Sequence, residues 1–351
     1  MIKYIGSKRR LVPRIVAAVE ACAGARTVLD LFSGTSRVGH ALKARAFRVH
    51  GNDHNAYAHA LATCYVTADA RAWRARAGKL VAELDAVRGR AGWFTETYCA
   101  TARYLQPANG ARVDAIRARI ARLSLEPELE AIALVSLMEA ADRVDSTVGL
   151  QMAYLKAWSP RSFQPLRLRV PELLDGPGSA SCLDALEAAE RFEADVAYLD
   201  PPYNQHSYLG NYHVWESLVR WDKPNVYGIA RKREDVRERT SAFNRRSTMP
   251  AAFRAVIERV RARWLVVSFS DEGFMSPGEL RDLLSVLGEV REEAVAHPRY
   301  IGHKIGIHDL AGRKVGVPGH ARNREHLFVV DTRPAAAKRR VRGRVLAAVP
   351  V

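Results

Sequence analysis

Apolar positions along this chain alternate between short continuous runs and stretches with helical spacing, a pattern that predicts strands and helices in an α/β sheet. Residues 27–32 (TVLDLF) form a short apolar run that stops at Ser33-Gly34, and SRVGHALKARA after it has the spacing of a helix. Residues 48–52 predict a second strand ending at Asp53. A third, 195–199, leads into a double proline. Residues 264–269 (WLVVSF) and 326–330 (HLFVV) predict later strands, with 292–297 a weaker one.

Between residues 67 and 177 the period changes. Trp73, Leu80, Val81, Leu84 and Val87 share a helical face, as do Val113, Ile116, Ile120 and Leu123. Residues 129–138 are apolar nearly all round, which predicts a buried helix. Residues 159–177, rich in Pro, Arg and Leu, predict irregular chain. The expected organisation is a discontinuous sheet core at 1–66 and 178–332, a helical insertion at 67–177, and a basic tail at 333–351. That tail carries Lys338, Arg339, Arg340, Arg342 and Arg344 without an acid between them. A solvated tail is the expected reading, and a DNA-contacting arm the alternative.

Composition narrows the class. No apolar run approaches the roughly 20 residues that span a bilayer, and MIKYIGSKRRL has no apolar signal region, so neither a membrane nor secretion is expected. Cys22, Cys64, Cys99 and Cys182 are far apart and form no CxxC pair, which argues against a zinc site or disulfide framework and for the reducing cytoplasm. Lys and Arg number 54 against 38 Asp and Glu, a net charge of +16. That excess suits a polyanionic partner, because neutralising phosphates releases condensed counterions. A merely basic enzyme fits the charge equally well.

The candidate chemistry lies at strand ends. In LDLFSGTSRVG, Gly34 lets the backbone approach a ligand closely, and Thr35 or Ser36 is placed to cap the next helix. The turn lacks the dinucleotide G-x-G-x-x-G spacing. Asp53 follows at the end of the next strand, where a carboxylate can accept both hydroxyls of a ribose or cap the helix beginning near Asn55. Asp200-Pro201-Pro202-Tyr203 ends a strand stiffly, since neither proline can donate to a ladder. It presents carboxylate and carbonyl acceptors beside an aromatic ring. An exocyclic amine needs that set: Asp200 and the Pro201 carbonyl can take its two N–H groups while Tyr203 stacks on its ring. At the N-terminus, Lys3-Tyr4-Ile5-Gly6-Ser7-Lys8 sets a Gly-Ser turn between an aromatic ring and a lysine that can neutralise a carboxylate.

Together, KYIGSK, FSGTS, Asp53 and DPPY resemble the Dam-like, alpha-group N6-adenine-specific DNA methyltransferases. The stretch DPPYNQHSYLGNYHVWESLVRWDKP, with SAF and RWLVVSFSDEGF after it, resembles the restriction-modification subgroup. The resemblance implies a Rossmann-like class I methyltransferase sheet that binds S-adenosyl-L-methionine, acts on double-stranded DNA and needs no metal. It implies cofactor contacts from Tyr4, Lys8, Asp53 and Asp200, with Phe32 and Gly34 lining the same pocket. Ser36 stands where the family commonly has a second glycine. Asp184, in SCLDAL, resembles the acid that meets the cofactor adenine. Catalysis falls to Asp200, Pro201, Pro202 and Tyr203 acting on a flipped adenine, and a cognate restriction endonuclease becomes a candidate partner.

Some assignments stay open at this level. Arg231, Lys232, Arg233, Arg237, Arg239, Arg245 and Arg246 suit phosphate contacts, but interleaved acids suit a salt-bridged helix as well. Asn204, His206, Tyr208 and Tyr212 are candidates for the rim of a base pocket or for local packing. A methyltransferase of RNA or of another amine, and a non-catalytic nucleic-acid-binding module, are the rival readings.

Overall fold

The apolar run at 27–32 forms β1 (Thr27–Asp30) in the computed structural model, and three of its four residues are buried. The described residues are 1–6, 8–151, 157–298, 307–308, 314–316 and 322–332. The basic segment 333–351 lies outside them, as does Ser7. β2 (Arg48–Asn52) and β4 (Glu193–Leu199) likewise bury their C-terminal ends. Between them in sequence, β3 (Gly178–Ser181) is the short edge strand GSAS, paired in parallel with β2 from Val49 opposite Gly178 to Asn52 opposite Ser181. It has no apolar run for a hydrophobic pattern to register.

Two residue pairs, β5 (Val226–Tyr227) and β6 (Lys232–Arg233), make a separate small hairpin. β7 (Arg261–Ser270) is parallel to β4. The weakly predicted strand is β8 (Gly288–Pro298), eleven residues long. After the short pair β9 (Ile307–His308) and β10 (Lys314–Gly316), β11 (Arg322–Thr332) runs antiparallel to both β7 and β8. The large sheet has seven strands in the order β3-β2-β1-β4-β7-β11-β8. The order reverses beside β1, which is the doubly wound arrangement, and such sheets take ligands beyond the carboxyl ends of their strands.

Among the described residues the α-helices are α1 (Val12–Glu20), α2 (Arg37–Lys43), α3 (Ala56–Ala62), α4 (Ala70–Asp85), α5 (Pro107–Ile120), α6 (Pro127–Arg143), α7 (Ala185–Arg191), α8 (Tyr208–Asn211), α9 (His213–Arg220), α10 (Met249–Arg259) and α11 (Pro277–Ser285). The chain separates into two compact units.

The first unit comprises Met1–Val12, Asp30–Ala188 and His206–Ser241. Its core is the cluster built by α3, α4, α5, α6 and α9, with Phe94, Tyr98 and Tyr104 among its buried rings. α6 begins with a proline and two first-turn acids, Glu128 and Glu130, that complement its dipole, and it buries twelve of its 17 residues, as its all-round apolarity predicts. Its C-terminal end holds the N-terminal segment: Lys3 N–H donates to Asp142 at 3.1 Å, and Lys3 Nζ pairs with Asp145 at 2.7 Å. Arg161 pairs with Asp145 as well, at 2.7 Å.

The second unit comprises Pro13–Leu29, Ala189–Gln205 and the described residues from Ala242 onward. Asp195 fixes the start of β1 by accepting from the backbone N–H groups of Arg26 and Thr27 and from the Thr27 hydroxyl, at 2.8–2.9 Å. A capping box between Ser276 and Glu279 starts α11.

Candidate active site

The turn after β1 is shaped by backbone conformations that side chains rarely adopt. Gly34 has φ +49°, and a Cβ there would stand 3.4 Å from the Tyr4 ring. Half-buried Phe32 precedes this glycine. Ser36 lies in the left-handed region at φ 57°, the conformation a glycine would hold without strain. It occupies the N-cap of α2, but its side chain makes no capping hydrogen bond, contrary to the expected role. The Ser33 and Ser36 hydroxyl oxygens are buried without a hydrogen-bond partner among the described residues.

Asp53 meets this turn directly. Gly34 N–H donates to Asp53 Oδ2 at 3.1 Å, and Asn55 donates to Oδ1 through its backbone N–H at 3.0 Å and its side-chain amide at 3.1 Å. The Asp53 carboxylate thus faces the glycine turn and braces the chain entering α3, whose N-cap position is held by Asn55 without a side-chain cap. The anchor behind it is Asn52, which the sequence reading passed over. Buried Asn52 donates to the Leu31 and Leu183 carbonyls and accepts from Leu183 N–H and the Ser181 hydroxyl, at 2.7–3.3 Å. One side chain thus ties together the ends of β1, β2 and β3. Asp184, next in sequence to Leu183, is exposed and accepts from Leu186 N–H at 2.8 Å at the start of α7.

Tyr4 lies between two tyrosines, its ring stacked 4.5 Å from Tyr212 and 5.2 Å from Tyr208, with its hydroxyl 3.0 Å from that of Tyr57. Burial is the main cause that holds the Tyr4 hydroxyl well above the usual tyrosine range, so the ring is neutral. The structure places Tyr208 and Tyr212 in this stack, which is the packing alternative for those residues. Gly6, at φ +69°, carries the chain past the Tyr208 hydroxyl, where a Cβ would come within 3.0 Å. Lys8 is buried, 6% exposed, in the short helical turn that follows.

In the second unit the Asp200–Tyr203 segment is braced from β7. Ser268 Oγ donates to Asp200 Oδ1 at 3.0 Å and bonds the Tyr198 hydroxyl at 2.9 Å. Pro201 is buried. The Tyr203 ring lies 5.4 Å from Phe269, tilted by 56°, and its carbonyl accepts from Phe274 N–H at 2.8 Å. The Asn204 carbonyl accepts from Asn244 at 2.9 Å. These contacts hold both a carboxylate and a ring at the end of β4.

The arginine-rich stretch resolves by residue. Arg233 is 1% exposed and satisfied by Asp222 at 2.7 Å, Asp235 at 3.0 Å and Ser217 at 3.2 Å. Arg239 pairs with buried Glu216 at 2.9 Å. Arg237 covers the Tyr227 ring at 3.9 Å, and Arg246 lies 5.3 Å from the Phe274 ring. Arg233 is therefore an internal ion pair on β6, and Arg239 a half-buried one in the irregular chain after the 3₁₀ turn at Glu234–Arg237, in place of the expected helix.

A doubly wound sheet carries, beyond the carboxyl ends of its strands, an aromatic-covered glycine turn, a carboxylate at the next strand end and a braced Asp-Pro-Pro-Tyr segment, and such strand ends are where these sheets take their ligands. Residues 4–270 match the model of the D12 class N6 adenine-specific DNA methyltransferases, and the chain belongs to that family. It is 28% identical to the type II methyltransferase M.NlaIII of Neisseria lactamica over 82% of this chain and 89% of that protein. It is 29% identical to the modification methylase StsI of Streptococcus sanguinis over 85% of this chain, which spans about half (49%) of StsI. A solved SAM-dependent methyltransferase from Agrobacterium tumefaciens shares 11% identity at a TM-score of 0.36, over 94% of this chain and 64% of that one.

The activity is thus methylation of adenine N6 in DNA, with S-adenosylmethionine as the methyl donor. Residues of the first unit fit that donor: a flat ring over Gly34, the Asp53 carboxylate, and the unpartnered Ser33 and Ser36 hydroxyls. No helix among the described residues is long and apolar enough to cross a membrane.

Proposed function

We propose that the chain is the modification enzyme of a restriction-modification system and that its named residues divide the work as follows. Tyr4, Phe32 and Gly34 line the cofactor pocket, Asp53 accepts the ribose hydroxyls, Lys8 neutralises a carboxylate and Asp184 meets the cofactor adenine. When bound, the cofactor supplies an electrophilic sulfonium methyl group. Asp200 and the Pro201 carbonyl accept the two N6 hydrogens of a flipped adenine stacked on Tyr203, and Pro202 keeps the segment rigid. Accepting both hydrogens would free the nitrogen lone pair for attack. The amine would take up the methyl group that the cofactor gives up, sulfur keeping the electron pair of the broken bond, and Asp200 would receive the proton released from N6.

The observation that carries this reading is the bracing of Asp200 and Tyr203 by Ser268 and Phe269, because in-line transfer depends on holding the nucleophile and acceptors in place. The helical insertion at 67–177 is assigned to target recognition, and a cognate endonuclease and cytoplasmic location follow from the restriction-modification reading. Labelled methyl transfer to duplex DNA and to ribosomal RNA tests it: transfer goes to N6 of adenine in the duplex, and Asp200→Ala lowers it at least 100-fold. Preference for RNA, or an undiminished Asp200→Ala rate, overturns the assignment.

A further inference from the structure

The first unit contains a basic concavity that the assigned methyl-transfer residues leave unused. Arg9, Arg37, Arg143 and Arg169 line a cavity of about 580 Å³. They come from the N-terminal turn, the first residue of α2, the last of α6 and the irregular chain near 169, so the fold gathers them from four separate segments. Two carboxylates, Glu139 and Glu172, face these four guanidinium groups. Glu139 is already engaged by the Tyr65 hydroxyl and lies 3.9 Å from Arg143. Arg9, Arg37 and Arg169 make no ion pair among the described residues, and Arg37 Nε is buried without a hydrogen-bond partner.

An uncompensated, half-buried guanidinium is costly unless an anion reaches it. Burial, then the like charge of Arg9, holds Arg37 below the usual arginine range. Burial does the same to Arg143, with Arg169 adding to it and Glu139 opposing it. The cavity has the size of small-ligand sites, and guanidinium forks match phosphate oxygens in pairs. Tyr65, Val170 and Pro171 give it an apolar wall.

We propose that this cavity is an anion site that takes a phosphate ester on Arg37 and Arg143, with Arg9 and Arg169 at its mouth. Such a group is carried by a free phosphorylated ligand or by the backbone of the DNA. The full chain is titrated with inorganic pyrophosphate by calorimetry and with a labelled duplex by fluorescence anisotropy, as wild type, Arg143→Gln and Arg169→Gln. Arg74→Gln, an exposed arginine outside the cavity, serves as the control. At least tenfold weaker pyrophosphate binding in Arg143→Gln assigns a free ligand. A comparable loss for the duplex, with a salt slope shallower by about one, assigns the DNA backbone. Arg169 is exposed, so Arg169→Gln preserves the fold and is expected to show the same loss in smaller measure. If neither cavity variant loses more than Arg74→Gln on either probe, the site does not exist. Asp200→Ala is expected to bind pyrophosphate as wild type does, so a failure here is separate from a failure of the methyl-transfer assignment.

Discussion

Ser268 donates its hydroxyl to the Asp200 carboxylate at 3.0 Å, and the Tyr198 hydroxyl bonds the same serine oxygen at 2.9 Å. With the serine proton directed at Asp200, Tyr198 is the donor in the second bond, and the three groups form one directed chain. Ser268 therefore acts as a positioning residue for Asp200. Ser268→Ala is expected to lower kcat about tenfold, the value of one hydrogen bond to a charged group. The KM for S-adenosylmethionine stays the same, and Ser268→Thr restores the rate. An equal change in KM, or no rescue by threonine, assigns Ser268 a merely structural part.

Ser36 holds a left-handed backbone conformation without using its hydroxyl as a helix cap. A non-glycine residue there carries strain of roughly 1–2 kcal/mol. Ser36→Gly is expected to raise the unfolding free energy by up to about 1 kcal/mol, after the added entropy of the unfolded glycine is subtracted. Denaturant unfolding measures this directly. A loss of stability would mean that the buried hydroxyl makes a favourable interaction in the folded chain.

Much of the sheet was legible because its strands are apolar runs that end at turn residues. β1, β2, β4, β7, β8 and β11 all lie where the pattern places them. GSAS at β3 was not legible, since small polar residues on an edge strand carry no periodic signal. Gly34 and Asp53 stood out because a positive-φ turn and an acid at a strand end have local signatures. Asn52 and Ser268 did not, because their value lies in partners far along the chain: Leu183 for one, Asp200 for the other. The only local hint for Asn52 was an amide at the end of an otherwise buried strand. The arginine run misled in part because spacing alone cannot tell a phosphate contact from an ion pair. Burial decides that, and burial is tertiary.

Arg233 tests the point. Its five hydrogen bonds, to Asp222, Asp235 and Ser217, leave no capacity for a phosphate. Breaking a buried charge network by removing one partner costs about 3–5 kcal/mol. Arg233→Ala is expected to destabilise by that order in chemical denaturation, while Arg237→Ala, which loses a ring contact with Tyr227, costs about 1 kcal/mol or less. Equal effects of the two variants would remove Arg233 from the structural network.

Asp142 gives the fold a pH dependence of unusual sign. Its carboxyl is pushed up to about 7 from an ordinary value of 3.8, chiefly by burial, with Lys3 opposing and Asp145 reinforcing the shift. The folded chain therefore holds a proton through a range in which the unfolded chain has released it. Stability from this group is fully present below pH 3.8 and is lost as pH rises to about 7. Asparagine keeps an oxygen for the Lys3 N–H but has no proton to release. The advantage of Asp142→Asn over wild type should therefore grow between pH 4 and pH 8, by at most roughly 4 kcal/mol at 1.36 kcal/mol per pH unit. Comparing the two proteins by urea unfolding at several pH values cancels the contributions of every other titrating group. A constant difference across that range would show that Lys3 keeps Asp142 ionised in the folded chain.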